Sequence, residues 1–73
     1  MTLGVWIKIN YGTQQHMNIR LGLSKNTVNR WFNNDPKKFY THITKISEET
    51  DTTTKDLIKM VEQRIEDLKL LKA

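Results

Sequence analysis

Residues 13–34 of the chain read TQQHMNIRLGLSKNTVNRWFNN and predict two short helices joined by a tight turn. Thr13 is a favourable N-cap residue, and Met17 and Leu21 are four positions apart, on one face of a helix. Gly22 follows directly, at the point where a helix that ends in a left-handed residue favours glycine. We therefore expect the first helix to end at Leu21 and the chain to turn there.

The second helix of the pair is predicted over residues 25–33, with Ser24 as its N-cap. Val28 and either Trp31 or Phe32 supply its inward side. The outward side is rich in amide, hydroxyl and basic side chains, which are Lys25, Asn26, Thr27, Asn29, Arg30 and Asn33. Asparagine and threonine are poor helix formers, so their density here favours a hydrogen-bonding role. A solvated polar face without a partner is the alternative.

These residues resemble the helix-turn-helix of the phage repressor and Cro family, also called the XRE family. The TQ start, Gly22 nine residues later and the inward Val28 agree with the family pattern. Asn18 departs from it, because the family usually has alanine four residues before the glycine. The two helices would then cross less closely, or the amide would be hydrogen-bonded. The resemblance covers residues 3–60 and implies an all-α, compact five-helix domain with a helix-turn-helix over residues 13–34.

The resemblance also implies a DNA-binding regulator whose second helix, residues 24–33, enters the major groove. The side chains placed to read bases are Lys25, Asn26, Thr27, Asn29 and Arg30. Gln14 resembles the family glutamine that meets the DNA backbone and supports a side chain of the recognition helix. Asn33 resembles the family asparagine that contacts a phosphate. The other predicted phosphate contacts are Arg20, Lys37 and Lys38.

Charge is divided unevenly along the 73 residues. Residues 1–45 carry seven basic side chains and one acidic side chain, a net charge of +6. Residues 46–73 carry five basic and seven acidic side chains, a net charge of −2. The positive half contains the predicted helix-turn-helix, as binding to phosphates requires.

Three further helices are expected around this pair. The first covers residues 3–10, and a helix is favoured over a strand because no other segment alternates like a pairing strand. The next begins with Asp35 as N-cap and Pro36 in its first turn, where Lys37 and Lys38 would oppose the helix dipole unless DNA phosphates or solvent offset them. The expected inward residues of these helices are Leu3, Trp6, Ile7, Phe39, Ile43 and Ile46.

The last helix is predicted over about residues 54–71, opened by Thr53 and Asp56 in the form of a capping box. Its expected seam is Ile58, Val61, Ile65 and Leu68. Ile65, Leu68 and Leu71 extend beyond what a five-helix core needs to cover, which predicts a partner interface. The partner would be a second copy of the chain or a phage repressor protein.

Two functions remain open at this stage. The first is a sequence-specific regulator that binds double-stranded operator DNA in a temperate phage lysis/lysogeny switch. The alternative is an antirepressor that inactivates the phage repressor through protein contacts, since some small helix-turn-helix proteins of temperate phages act in that way.

Several classes of function are disfavoured by what the sequence lacks. There is no cysteine for a disulfide, a thiolate nucleophile or a common zinc-finger site, and no apolar run long enough for a membrane span. His16 and His42 have no acidic or cysteine neighbours at ligand spacing. We expect a single domain over residues 1–73, located in the cytoplasm of a bacterial host, without catalysis, metal or cofactor.

Overall fold

The computed structural model describes residues 1–72, which form five α-helices, one 3-10 helix and no strand. The α-helices are α1 (Leu3–Tyr11), α2 (Gln14–Leu21), α3 (Thr27–Asn34), α4 (Ile43–Thr50) and α5 (Thr54–Lys72). The 3-10 helix, Pro36–His42, connects α3 to α4. The predicted all-α class with five helices is confirmed.

Local signals set the ends of α2 as predicted. The Thr13 hydroxyl accepts a hydrogen bond from the His16 N–H at 3.0 Å and so caps the first turn. Gly22 is left-handed, with φ 69° and ψ 32°, and its N–H donates to the Ile19 carbonyl. No atom lies within 4 Å of the place where a Cβ of residue 22 would stand. Glycine is therefore favoured at residue 22 by its backbone conformation and not by lack of space.

The start of α3 differs from the prediction. The helix begins at Thr27, two residues later than expected, because Asn26 is left-handed with φ 70° and cannot be part of a right-handed helix. Asn26, the N-cap residue of α3, makes no side-chain hydrogen bond to the first turn of the helix. The prediction that Ser24 caps α3 is therefore wrong. Ser24 instead accepts the Thr27 N–H with its backbone carbonyl at 3.1 Å. Lys25 consequently lies in the connection between α2 and α3.

The segment after α3 also differs from the prediction. Residues 36–42 form a 3-10 helix, and the α-helical geometry begins only at Ile43. Pro36 does stand in the first turn, but Asp35 makes no side-chain capping bond. Its backbone carbonyl accepts the Lys38 N–H at 3.1 Å. The macrodipole argument for Lys37 and Lys38 loses force here, because the helix that contains them is short and not α-helical.

One hydrophobic cluster joins all the helices. Its buried members are Leu3, Trp6, Ile7, Tyr11, Met17, Leu21, Val28, Phe39, Ile46, Leu57, Met60 and Val61. Trp31, Phe32, Ile43 and Ile65 pack against it while partly exposed. The Trp31 and Phe39 rings meet edge to face with centroids 5.3 Å apart. Both candidates for the inward side of α3, Trp31 and Phe32, thus contribute.

Along α5 the predicted seam is only partly correct. The side chains that α5 buries are Leu57, Met60 and Val61, whereas Ile58 is 38% exposed. The Thr53 hydroxyl accepts the Asp56 N–H at 3.2 Å, which agrees with the predicted start of the helix. Before it, Asp51 ends α4 in a left-handed conformation with φ 53°.

Candidate nucleic-acid interface

One face of α3 carries polar side chains only. Asn29, Arg30 and Asn33 of α3 are exposed and fall within an arc of roughly 100° around the helix axis, and the exposed N-cap residue Asn26 precedes them. We call these four residues the α3 stripe. Val28 lies on the opposite side and is completely buried. The stripe is therefore held outward by the anchoring of the apolar side in the core.

A contact between helices supports the middle of the α3 stripe. The Asn29 Nδ2 group donates to Oε1 of Gln14 at 3.0 Å, across fifteen positions of the chain. Gln14 is the first residue of α2 and directly follows the N-cap residue Thr13. The hydrogen bond to Asn29 places Gln14 at the edge of the stripe. The predicted support of a recognition-helix side chain by Gln14 is thus present in the geometry. Asn29 keeps its amide oxygen free of this bond to accept from a ligand.

Asn18 holds the beginning of α3 from another helix. The Asn18 side chain is 2% exposed, and its Oδ1 accepts the Val28 N–H at 2.8 Å. Its Nδ2 donates to Oε1 of Gln15 at 3.3 Å. Since α3 has no side-chain cap of its own, Asn18 supplies one of the acceptors that its first turn needs. Of the two consequences considered for the departure at Asn18, the hydrogen-bonded amide is the one observed.

Two of the five predicted base-reading residues are placed differently from the prediction. Thr27 is only 9% exposed, so the expectation that it points outward is wrong. Its hydroxyl accepts from Nη2 of Arg30 at 3.3 Å and thereby orients that guanidinium group. Lys25 is exposed but lies before the helix, where its long side chain remains able to reach a ligand. Asn26, Asn29 and Arg30 stand on the stripe as predicted.

The three cationic residues among the predicted phosphate contacts fall into two groups. Lys37 and Lys38 are exposed, and within residues 1–72 they have no carboxylate partner. Arg20, by contrast, forms an ion pair with Glu49 of α4, with Nη2 and Oε1 3.4 Å apart. Arg20 would have to divide its charge between Glu49 and a phosphate. The two lysines are therefore the stronger candidates.

Tyr11 lies beside this ion pair, where α1, α2 and α4 meet. Burial of its hydroxyl, followed by the negative charge of Glu49, raises the pKa of Tyr11 to about 12. The positive charge of Arg20 acts in the opposite direction. The buried Tyr11, the partly buried Glu49 and the exposed Arg20 form a polar junction that the sequence did not predict.

The predicted partner interface at the end of α5 is less uniform than expected. Ile65 packs partly against the core and Leu68 is also partly buried, so neither projects freely. Leu71 is 75% exposed, and the neighbouring Leu70 is 74% exposed. The apolar surface of this helix end thus consists mainly of Leu70 and Leu71.

Arg64 is the main site residue that the sequence did not reveal. From α5, it reaches the end of α3, where its Nε donates to the Phe32 carbonyl at 2.8 Å and its Nη2 donates to Oδ1 of Asn33 at 3.3 Å. Asn33 also donates from Nδ2 to the Asn29 carbonyl at 3.0 Å. Both polar atoms of the Asn33 amide, Oδ1 and Nδ2, are therefore already hydrogen-bonded within the chain before any phosphate binds. The one signal in the sequence was Pro36, which has no N–H for the Phe32 carbonyl to accept.

The described residues offer no metal site and no membrane span. In residues 1–72, no three His, Cys, Asp or Glu side chains come together as a possible ion-binding group. His16 and His42 lie on separate helical segments, with Nδ1 of His16 3.3 Å from the Tyr11 carbonyl and Nδ1 of His42 2.8 Å from the Thr41 hydroxyl. None of the helices in this part of the chain combines the length and apolarity needed to cross a bilayer.

Comparisons of the chain with protein-family models, with curated proteins and with solved structures find no match. The resemblance to the phage repressor family consequently depends on the residues quoted for it, and the function it implies is a proposal.

Proposed function

We propose that the chain is a sequence-specific DNA-binding regulator that reads the major groove with α3. The observation that carries this proposal is the hydrogen bond from Asn29 to Gln14, because it orients an amide in the middle of an exposed polar helix face. Oriented amides are the groups that pair bidentately with adenine N6 and N7. A face that merely needed solvation would not require support from a second helix.

Charge supports the same proposal. The half of the chain that contains α3 has a net charge of +6, and neither α2 nor α3 contains an acidic residue. Arg30 on the α3 stripe can donate to guanine O6 and N7 or to the DNA backbone. The resemblance to the phage repressor family extends the proposal to a temperate phage lysis/lysogeny switch, acting in the cytoplasm of the bacterial host.

The test begins with selection of preferred duplexes from a random pool, followed by binding measurements at several salt concentrations. Two to three cationic phosphate contacts, from Lys37, Lys38 and partly Arg20, give a slope of log affinity against log salt of about −2 to −3 per subunit. A selected sequence that binds no better than random DNA, or an affinity that does not change with salt, would refute the proposal.

Matched variants separate base reading from phosphate binding. Asn29→Ala should relax the preference at one base position by roughly 1–3 kcal/mol while random DNA binds nearly as before. Lys37→Ala should weaken all sequences alike and make the salt slope shallower by about one. Lys55→Ala on α5 removes the same charge away from α2 and α3 and should change neither quantity. Equal effects of Lys37→Ala and Lys55→Ala would show that only overall charge matters.

A second candidate function is an antirepressor that binds the repressor protein. It is favoured by the exposed Leu70 and Leu71 and by the net charge of −2 in residues 46–73, where the exposed acids Glu48 and Asp51 could meet a basic DNA-reading surface. Two experiments distinguish the two functions. One is a pull-down with the phage repressor whose gene neighbours the gene of this chain, and the other is a gel shift with the DNA between the two genes. Capture of the repressor without a shift of the DNA would favour the antirepressor.

A further inference from the structure

The carbonyl group of Phe32 lacks the partner that an α-helix would normally provide. In an α-helix it would accept the N–H four residues later, but that residue is Pro36, which has none. The preceding carbonyl, of Trp31, does accept the Asp35 N–H at 3.0 Å. Arg64 fills the vacant position with its Nε, which donates to the Phe32 carbonyl at 2.8 Å. A side chain thirty-two positions away thus completes the end of α3.

The guanidinium group of Arg64 makes two further contacts there. Its central carbon lies 3.8 Å from the centroid of the Phe32 ring, a cation–π arrangement. Phe32 is itself confined, since a Cβ at Gly4 of α1 would stand only 3.2 Å from its Cζ atom. The planar guanidinium therefore stacks on a ring whose position the core already restricts, while its N–H groups point to the end of α3. A lysine would reproduce the charge but neither the stacking nor the paired donors.

The second donor of Arg64 connects it to the α3 stripe. Nη2 of Arg64 donates to Oδ1 of Asn33, Nδ2 of Asn33 donates to the Asn29 carbonyl, and the Asn29 side chain donates to Gln14. These contacts form one continuous line from α5 across α3 to α2. The orientation of the Asn33 amide therefore depends on where α5 lies, and the link from Asn33 to Asn29 passes through the main-chain carbonyl of Asn29.

We propose that Arg64 is a positioning residue for DNA reading, which fixes the end of α3 and orients the amide of Asn33 from the last helix. The inference rests on the proposed DNA-binding function. A short helix that is held in place before binding loses less conformational freedom when it meets a groove, which favours the specific complex over loose contacts with the backbone. Arg64 also places a positive charge at the end of α3 where the helix dipole is negative.

The experiment uses the whole chain in three variants. Arg64→Met keeps the apolar stem and removes the charge and the donors, Arg64→Lys keeps the charge alone, and Lys55→Met removes a charge from the exposed first turn of α5. Amide hydrogen exchange without DNA is measured first. We expect Arg64→Met and Arg64→Lys to speed exchange of the Asn34 and Asp35 amides several-fold, while the Val61 amide in the middle of α5 exchanges as in the wild type. Lys55→Met should leave all of these rates unchanged.

Binding to the selected duplex and to random DNA is measured next. For both Arg64 variants, the ratio of specific to non-specific affinity should fall by about tenfold, the scale of one charge-assisted hydrogen bond. Full recovery of that ratio by lysine would show that Arg64 acts only as a charge and would overturn the inference. Unchanged exchange at Asn34 and Asp35 would also overturn it, whatever the DNA results.

The two proposals can fail separately. If exchange accelerates as expected but the affinity ratio of the variants stays at the wild-type value, Arg64 stabilises α3 without positioning it for DNA, and only the present inference is lost. If the wild type itself has no preferred sequence, the DNA-binding proposal fails first and the positioning role fails with it. The exchange rates then still report on the contact between Arg64 and α3.

Discussion

At the scale of single residues, Asn18 replaces close packing with a hydrogen bond. A small residue at this position would let α2 and α3 approach closely, but the amide of Asn18 lies between them and accepts the buried Val28 N–H. A buried N–H without a partner is costly, so the amide contributes more than its own bond energy. The side chain of Asn18 thus satisfies a backbone N–H in the first turn of α3.

Replacing Asn18 by alanine should lower the free energy of unfolding by about 1–3 kcal/mol, because the Val28 N–H would remain buried without an acceptor. Chemical denaturation measures the change. Gln15→Ala is the control, since it removes only the contact from Gln15 to the Asn18 amide and should cost less than about 0.5 kcal/mol. Equal midpoints for the two variants would mean that alanine lets α2 and α3 close over the gap.

Gly22 offers a second test at this scale. Its φ of 69° is strained for residues with a Cβ, while the space around the position is open. Gly22→Val should therefore destabilise the chain by about 1–2 kcal/mol through backbone strain alone. Gly22→Asn should cost less, because asparagine tolerates the left-handed region. Thermal melting of both variants measures the loss of stability. Identical melting temperatures for Gly22→Val and the wild type would contradict the left-handed turn.

At the scale of elements, α3 depends on its neighbours at both ends. A helix of eight residues is not stable by itself in water. Asn18 of α2 bonds to its beginning, Arg64 of α5 bonds to its end, and Val28 anchors its first turn in the core. The position of the exposed stripe is accordingly a property of the helices that surround α3.

The junction of α1, α2 and α4 predicts a pH dependence. A tyrosine in the unfolded chain loses its proton near the usual pKa of 10.0, whereas the folded chain raises the pKa of Tyr11 to about 12. Between these two values the folded state binds more protons, so stability falls as the pH rises from about 10 to about 12. Below pH 10 this contribution is fully present. The raised pKa arises first from burial of the hydroxyl and second from Glu49.

Denaturation at a series of alkaline pH values tests this expectation. Tyr11→Phe should show a smaller loss of stability over that interval than the wild type, since phenylalanine has no proton to lose. Glu49→Gln should lower the pKa of Tyr11, which ultraviolet titration of tyrosinate follows. The difference between variant and wild type is the informative quantity, because it isolates the contribution of the Tyr11 hydroxyl. Parallel curves would show that the Tyr11 hydroxyl is not held protonated by the fold.

At the scale of the whole molecule, two surfaces differ in chemistry. The basic half presents the α3 stripe, and the end of α5 presents Leu70 and Leu71 to solvent. Burying one leucine contributes about 1.5–3 kcal/mol, so two copies of this end could support weak association after the costs of binding are met. A second copy related by a two-fold axis could place the two α3 helices one DNA turn apart, roughly 34 Å.

Leu71→Lys should therefore abolish self-association in sedimentation experiments while the fold remains intact, because the side chain is 75% exposed. Leu68 is a poorer test position, since it is partly buried and its replacement would also affect stability. Ile9→Lys, at a 64% exposed position on α1, is the matched control and should leave association unchanged. A wild type that stays monomeric at about 100 µM would exclude a self-association useful for DNA binding.

Much of the architecture was accessible from the sequence, because the relevant interactions connect residues close together in the chain. The cap at Thr13, the glycine at the end of α2 and the start of α5 at Thr53 each involve partners within four positions. Apolar periodicity placed Trp6, Val28 and Phe39 in the core correctly. Helix ends and inward faces of this kind depend on local backbone chemistry and on spacing.

The tertiary structure decided what depends on distant partners. Nothing near Val28 in the chain indicates that Asn18 accepts its N–H, and nothing near Phe32 identifies Arg64 as the missing donor. The late start of α3 at Thr27 and the 3-10 geometry after Pro36 were likewise not predicted from the sequence. A sequence specifies its local preferences directly, but which distant polar group satisfies a buried N–H or carbonyl is set only when the helices pack.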